Sequence, residues 1–187
     1  MKGYLKRNSA AYFHNAVKNA KSIAILTHTN PDGDALGSVT ALKWYLAALG
    51  INSRIVVPNP YPKNLKFLDR DGDVIIHSWR REAAERTVKN ADLIIALDFN
   101  QLKRIDDLEP LVRESAAKKI LVDHHPLPEK EAFDFVISNT EVSSTCELLF
   151  WLIREIEEGS IERVPEIAAQ SLYVGMMTDT NNFSNSV

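Results

Sequence analysis

Four apolar runs in this 187-residue chain lead into acidic or imidazole side chains, a pattern suited to divalent-metal chemistry. Ile23-Ala24-Ile25-Leu26 precedes His28, Asp32 and Asp34; Leu93–Leu97 delivers Asp98. Lys119–Val122 ends in Asp123-His124-His125, and Val174-Gly175-Met176-Met177 leads to Asp179. Any one of these aspartates reads as a helix cap or a turn residue, and Pro31-Asp32-Gly33-Asp34 alone reads as a tight turn. As a set they mean more. So many carboxylates and imidazoles in one poorly solvated cleft would repel one another, and divalent cations remove that repulsion. Mixed oxygen and imidazole donors suit Mn²⁺ better than a thiolate-preferring metal.

The elements that must bring these residues together follow from periodicity and punctuation. Ser9–Ala20 reads as an amphipathic helix with Phe13 and Val17 on one face. Ser22–Leu26 is a buried strand, and the polar stretch His28–Asp34 is a loop. The helix Ala35–Leu49 stops at Gly50, a suitable residue just past a helix end. Arg54–Val57, Asp73–His77, Asp92–Leu97, Lys118–Val122 and Phe133–Ile137 read as further strands. Pro58, Pro60 and Pro62 impose a surface loop, while helices are predicted over Arg80–Asn90 and Pro110–Ala117. Ser144-Thr145-Cys146-Glu147 has the form of a capping box for a helix running to Ile156. Pro165 opens a last helix that carries Ile167, Leu172, Val174 and Met177. Strands alternating with helices predict an α/β, Rossmann-like three-layer domain with a mostly parallel sheet. In such sheets ligands bind at the carboxyl ends of the strands, where these polar residues fall.

Composition narrows the class. An apolar fraction of 45% and a charged fraction of 25% suit a globular core. The net charge of −3 offers no basic stripe for duplex DNA. Cys146 is the sole cysteine, so no intrachain disulfide can form, and its apolar surroundings predict a core position rather than a nucleophile. Met1–Arg7 lacks the apolar centre of a signal peptide, and no run approaches membrane-spanning length. A cytoplasmic protein is the expectation.

His28-x-x-x-Asp32-x-Asp34-x-x-Gly37-Ser38, Asp98, Asp123-His124-His125 and Asp179-Thr180 resemble, in order, the four motifs of the DHH phosphoesterase family. Asp32–Ser38 and Ser143–Leu148 are similar to the branch holding nanoRNA-degrading oligoribonucleases and phosphoadenosine phosphate phosphatases. The resemblance implies two Mn²⁺ per chain: His28 and Asp32 on one, Asp34, His124 and Asp179 on the other, and Asp98 bridging. Two cations roughly 3.5–4 Å apart can share and acidify a water in line with a phosphorus atom. The implied reaction is attack by a metal-bridging hydroxide on a phosphate ester, with catalytic roles for Asp98, His125 and Asp123. His125 would reach the phosphate rather than a metal, and Asp123 would orient a metal-ligand imidazole or stand behind the ligands. Gly37 and Ser38 are expected on the substrate, with close packing of a small residue as the competing explanation. Thr145 could act there too, although the helix start alone accounts for it. Asn181, Asn182, Ser184 and Asn185 could likewise contact substrate or form a polar terminus. His14 and His77 match no motif.

The expected partners are short single-stranded RNA or a small phosphorylated nucleotide; duplex DNA and membranes are not expected, and a homodimer is admitted. Family members normally continue into a second, smaller substrate-binding domain. Residues 1–187 stop just past the fourth motif, so an N-terminal domain without that partner is expected. The fourth motif reads Asp179-Thr180-Asn181, where relatives often have Gly after Thr. Cyclic dinucleotide phosphodiesterases and single-strand exonucleases of the same family are alternatives. A non-catalytic nucleotide-binding module is the alternative from a different class.

Overall fold

The structure, a computed structural model, describes residues 3–184. Its centre is a six-stranded sheet in the order β3-β2-β1-β4-β5-β6, with every neighbouring pair parallel. The strands are β1 (Ile23–Leu26), β2 (Ser53–Val57), β3 (Ile75–Ile76), β4 (Leu93–Leu97), β5 (Lys118–Asp123) and β6 (Phe135–Ser138). The helices are α1 (Ser9–Asn19), α2 (Gly33–Ala48), α3 (Arg81–Asn90), α4 (Glu109–Glu114), α5 (Thr145–Ile156) and α6 (Glu166–Asp179). Parallel strands cannot be joined by tight hairpins, so each connection crosses a face of the sheet and covers it.

Side-chain alternation splits the core in two. Ile23, Ile25, Leu93, Ile95, Leu97, Ile120 and Val122 point toward α1, α2 and α5. Ala24, Leu26, Ile94, Ala96 and Leu121 point the other way, toward Ala84 and Val88 of α3, Val112 of α4 and the 3₁₀ turns Leu102–Leu108. This is the expected three-layer α/β fold. α2 is buried on nearly all sides because the sheet lies under it and α6 packs over it. An apolar helix without a polar stripe suits that place.

Strand order reverses between β1 and β4. In doubly wound sheets the crevice outside such a switch point receives the ligand, because the connections on its two sides leave in opposite directions. His28 follows β1 and Asp98 follows β4 at that crevice.

Several boundaries differ from the sequence reading. α2 begins at Gly33, two residues before the predicted start, because the Asp32 side chain caps it by accepting from Asp34 N and Ala35 N. β3 is two residues rather than Asp73–His77, since Asp73 N and Val74 N donate to Asp69 Oδ1 and so leave the ladder. The predicted helix at Pro110–Ala117 is shorter, ends at Glu114, and is preceded by 3₁₀ turns kinked at Asp106. Gly50 does end α2 with a positive φ of 74°.

Candidate metal centre

Each predicted ligand is delivered by a strand end or a helix end. His28 lies two residues past β1 and is 5% exposed. Its Nδ1 contacts the Thr29 carbonyl at 2.7 Å, which fixes the proton there and leaves the Nε2 lone pair free. That lone pair faces Asp98 Oδ2 at 3.4 Å. With Asp98 ionised, two acceptors so placed repel each other, and a divalent cation between them would relieve that repulsion. Asp32, the exposed cap of α2, completes a group with His28 and Asp98 whose ligand atoms lie within 4.8 Å of one another.

The second group is Asp34, His124 and Asp179, also within 4.8 Å. His124 Nε2 lies 3.5 Å from Asp179 Oδ2, 3.7 Å from Asp98 Oδ1 and 4.0 Å from Asp34 Oδ2. A single N–H cannot serve three carboxylates, whereas a divalent cation can. The donor chemistry therefore fits metal ions, with Asp98 between both groups. A third grouping of Asp98, His124 and His125 falls within the same reach.

Electrostatics point the same way. Burial, with Asp32 nearby, pushes the Asp98 carboxyl up to about 8. Burial and neighbouring Asp98 push Asp34 well above the usual carboxylate range. Asp179 is raised as well, mainly by burial. His125 lowers Asp98 and His124 lowers Asp179, but burial outweighs both, and a divalent cation is the kind of charge that would favour the ionised carboxylates.

Asp98 itself has a left-handed backbone, φ 65°, at the last step out of β4. A non-glycine residue there is strained by about 1–3 kcal/mol, a cost that recurs where a side chain must be aimed. Thr145 Oγ1 donates to Asp98 Oδ1 at 2.9 Å. Thr145 N and Cys146 N donate to Asp34 at 2.7 and 2.9 Å, so the first-turn amides of α5 terminate on a candidate ligand. This charge-assisted cap orients Asp34. Thr145 therefore does more than start a helix, and Ser143–Leu148 was the signal that could have shown it. The capping box is modified accordingly. Ser144 Oγ accepts from Glu147 N, but Glu147 reaches back to Ser143 N and Oγ rather than to Ser144.

Asp123 is fully buried and accepts from His125 N at 3.2 Å, with His125 Nδ1 at 2.8 Å. The imidazole it orients is therefore His125, whose pKa is raised chiefly by that bond. On the far side, Arg104 Nη1 lies 3.5 Å from His125 Nε2. Sequence reasoning missed Arg104, since nothing in the run Leu102–Leu108 distinguishes it.

Gly37 and Ser38 are both buried in α2. A Cβ on Gly37 would lie 2.7 Å from the Ser171 carbonyl oxygen and 3.2 Å from Cys146 Sγ. Ser38 is fully buried and donates to the Ala35 carbonyl. Both contribute to the contact of α2 with its neighbours, the packing role that competes with substrate contact. Cys146 is buried and unpaired, and burial together with Asp34 pushes its thiol up, so it is no nucleophile. Asn181 and Asn182 form a left-handed turn after α6, and Asn185 lies outside the described residues. His14 and His77 lie on other elements and join none of the three groups.

Residues 22–176 match the family model described as "DHH family, N-terminal domain". A solved structure titled an exopolyphosphatase-related protein from Bacteroides fragilis superposes with a TM-score of 0.93 and 35% identity, over 98% of this chain and 53% of that one. The bifunctional oligoribonuclease and PAP phosphatase NrnA of Mycoplasma genitalium is 27% identical over 96% of this chain and 52% of its own length. The cyclic-di-AMP phosphodiesterase PdeA of Listeria monocytogenes is 25% identical over 90% of this chain and 26% of its own. The chain thus spans about half the length of the first relative, or less than that of the second.

Proposed function

The chain belongs to the DHH family, whose N-terminal domain it carries, and from this we propose that it is a Mn²⁺-dependent phosphoesterase acting on short oligoribonucleotides or 3′-phosphoadenosine 5′-phosphate. The observation that carries the proposal is Asp98, a buried carboxyl set between His28 and Asp32 on one side and Asp34, His124 and Asp179 on the other. Bound divalent cations would supply Lewis acidity and a water acidic enough to attack phosphorus. His28 and Asp32 would hold one, Asp34, His124 and Asp179 the other, and Asp98 both.

The chain's own groups do the rest. Thr145 and the α5 amides keep Asp98 and Asp34 aimed into the cleft. Asp123 holds the His125 ring so that Nε2 can meet a phosphate oxygen. The protein is read as cytoplasmic; among the described residues no helix is long and apolar enough to cross a membrane. A second reading, cyclic dinucleotide hydrolysis, is favoured by the likeness to the Listeria phosphodiesterase.

Calorimetric Mn²⁺ titration with elemental analysis, on this chain and on Asp98→Asn, tests the centre. Two ions per chain, falling to one or none in the variant, are expected; no binding overturns the proposal. Turnover is then assayed on the full gene product with short RNA, phosphoadenosine phosphate and cyclic dinucleotides, and Asp98→Asn should abolish it. Retained activity refutes the bridging role. Metal binding without any turnover would favour a non-catalytic nucleotide-binding module.

A further inference from the structure

Arg104 reaches the cleft beside His125. It lies in the 3₁₀ turns Leu102–Leu108 and is half-buried, and among the described residues no carboxylate comes within ion-pair distance of it. Arg113, on the following helix, shows the ordinary arrangement: it pairs with Glu109 at 2.7 Å and Glu129 at 2.9 Å. Leaving a partly desolvated guanidinium without a counter-ion is costly, and proteins retain that cost where a ligand supplies the charge.

The position of Arg104 identifies the ligand. Its Nη1 is 3.5 Å from His125 Nε2, too long for a strong hydrogen bond but close enough for both nitrogens to meet one oxygen. His125 Nδ1 is engaged by Asp123 and lies 3.7 Å from Asp98 Oδ1. Arg104 and Asp98 therefore flank the same imidazole. The backbone keeps the turn in place independently of the side chain, because Thr29 N, next to His28, donates to the Arg104 carbonyl at 2.9 Å.

We propose that Arg104 is a substrate-binding residue whose guanidinium, beside His125, holds a non-bridging oxygen of the reacting phosphoryl group. This rests on the phosphoesterase reading above and adds to it the residue that recognises the phosphate. A planar guanidinium engages a tetrahedral oxyanion through two N–H groups, which a lysine ammonium does not reproduce.

The test separates phosphate recognition from metal binding and from folding. Wild type, Arg104→Ala and Arg104→Lys are titrated first with Mn²⁺ alone, then, once loaded, with inorganic phosphate; thermal melts check the fold. The expected result is two Mn²⁺ at unchanged or tighter affinity in both variants. Phosphate should bind about 10- to 100-fold more weakly to Arg104→Ala, with only partial recovery in Arg104→Lys. Phosphate affinity unchanged in Mn²⁺-loaded Arg104→Ala overturns the proposal. Loss of Mn²⁺ binding or of the fold in both variants also overturns it, because Arg104 would then be a structural support. Failure of the wild type to bind Mn²⁺ instead refutes the underlying metal-site reading and removes the basis for this one.

Discussion

Replacing Gly37 by Ala should separate the two roles open to this glycine. On the outside of a helix the change would be stabilising, since alanine is favoured over glycine by about 1 kcal/mol. Gly37 is not on the outside. The new methyl would lie 2.7 Å from the Ser171 carbonyl oxygen, so the α6 backbone would have to yield by roughly 0.8 Å to reach ordinary contact. It would also lie 3.2 Å from both Cys146 Sγ and Gly175 N, which blocks the obvious direction of relief. Overpacking of a tight interior costs about 1–3 kcal/mol, and obstacles that are mostly backbone place this case near the upper limit. After the helix-propensity gain the net loss is about 2 kcal/mol, which lowers Tm by about 4–8 °C in a chain of this size. Because α2 carries Asp34 and α6 carries Asp179, the same displacement should weaken Mn²⁺ affinity by about tenfold. Urea denaturation and thermal melts measure the first effect, and calorimetry measures the second. If Gly37→Ala leaves stability and Mn²⁺ affinity unchanged while weakening phosphate binding, the packing argument is wrong and Gly37 is a phosphate contact.

Thr145→Val keeps the side-chain volume but removes the donor to Asp98 Oδ1. It should weaken Mn²⁺ binding by about 10- to 100-fold with the fold intact, and unchanged calorimetric affinity would show that the hydroxyl does not position Asp98. A pH dependence follows for metal-free protein. Asp98, at about 8 when folded, and Asp34, also raised, would both titrate near 4 when unfolded. Between those values the native state binds more protons than the unfolded one, so these two groups make stability fall as pH rises from about 5 to 8. Tm measured in chelator should therefore drop more steeply with pH in wild type than in Asp98→Asn, and saturating Mn²⁺ should abolish the difference. Identical slopes in chelator would contradict the raised carboxyls.

Much of the architecture could be read from the chain because its signals are local. The apolar runs at Ile23–Leu26, Leu93–Leu97 and Lys119–Val122 are β-branched or aliphatic and short, which only a doubly covered strand accommodates. Gly50 and Ser144 mark helix ends through their own backbone or side-chain chemistry. The local signals failed where a side chain from elsewhere claimed the backbone, as Asp69 does with Asp73 N and Val74 N.

The identities of the candidate ligands were likewise present in the sequence, since an aspartate or imidazole at a strand end keeps its chemistry in any fold. Their mutual placement was not. Asp34 meets the amides of Thr145 and Cys146 across more than a hundred residues, and Thr145 reaches Asp98 from a different face of the chain. Gly37 is tightly packed only because α6 crosses it, and Arg104 is distinguished only by having, among the described residues, no carboxylate within ion-pair distance. A sequence specifies which donors, acceptors and volumes are available. Distances between residues remote in the chain arise from burying both faces of the sheet at once, and they decide which of those groups a metal or a phosphate can meet.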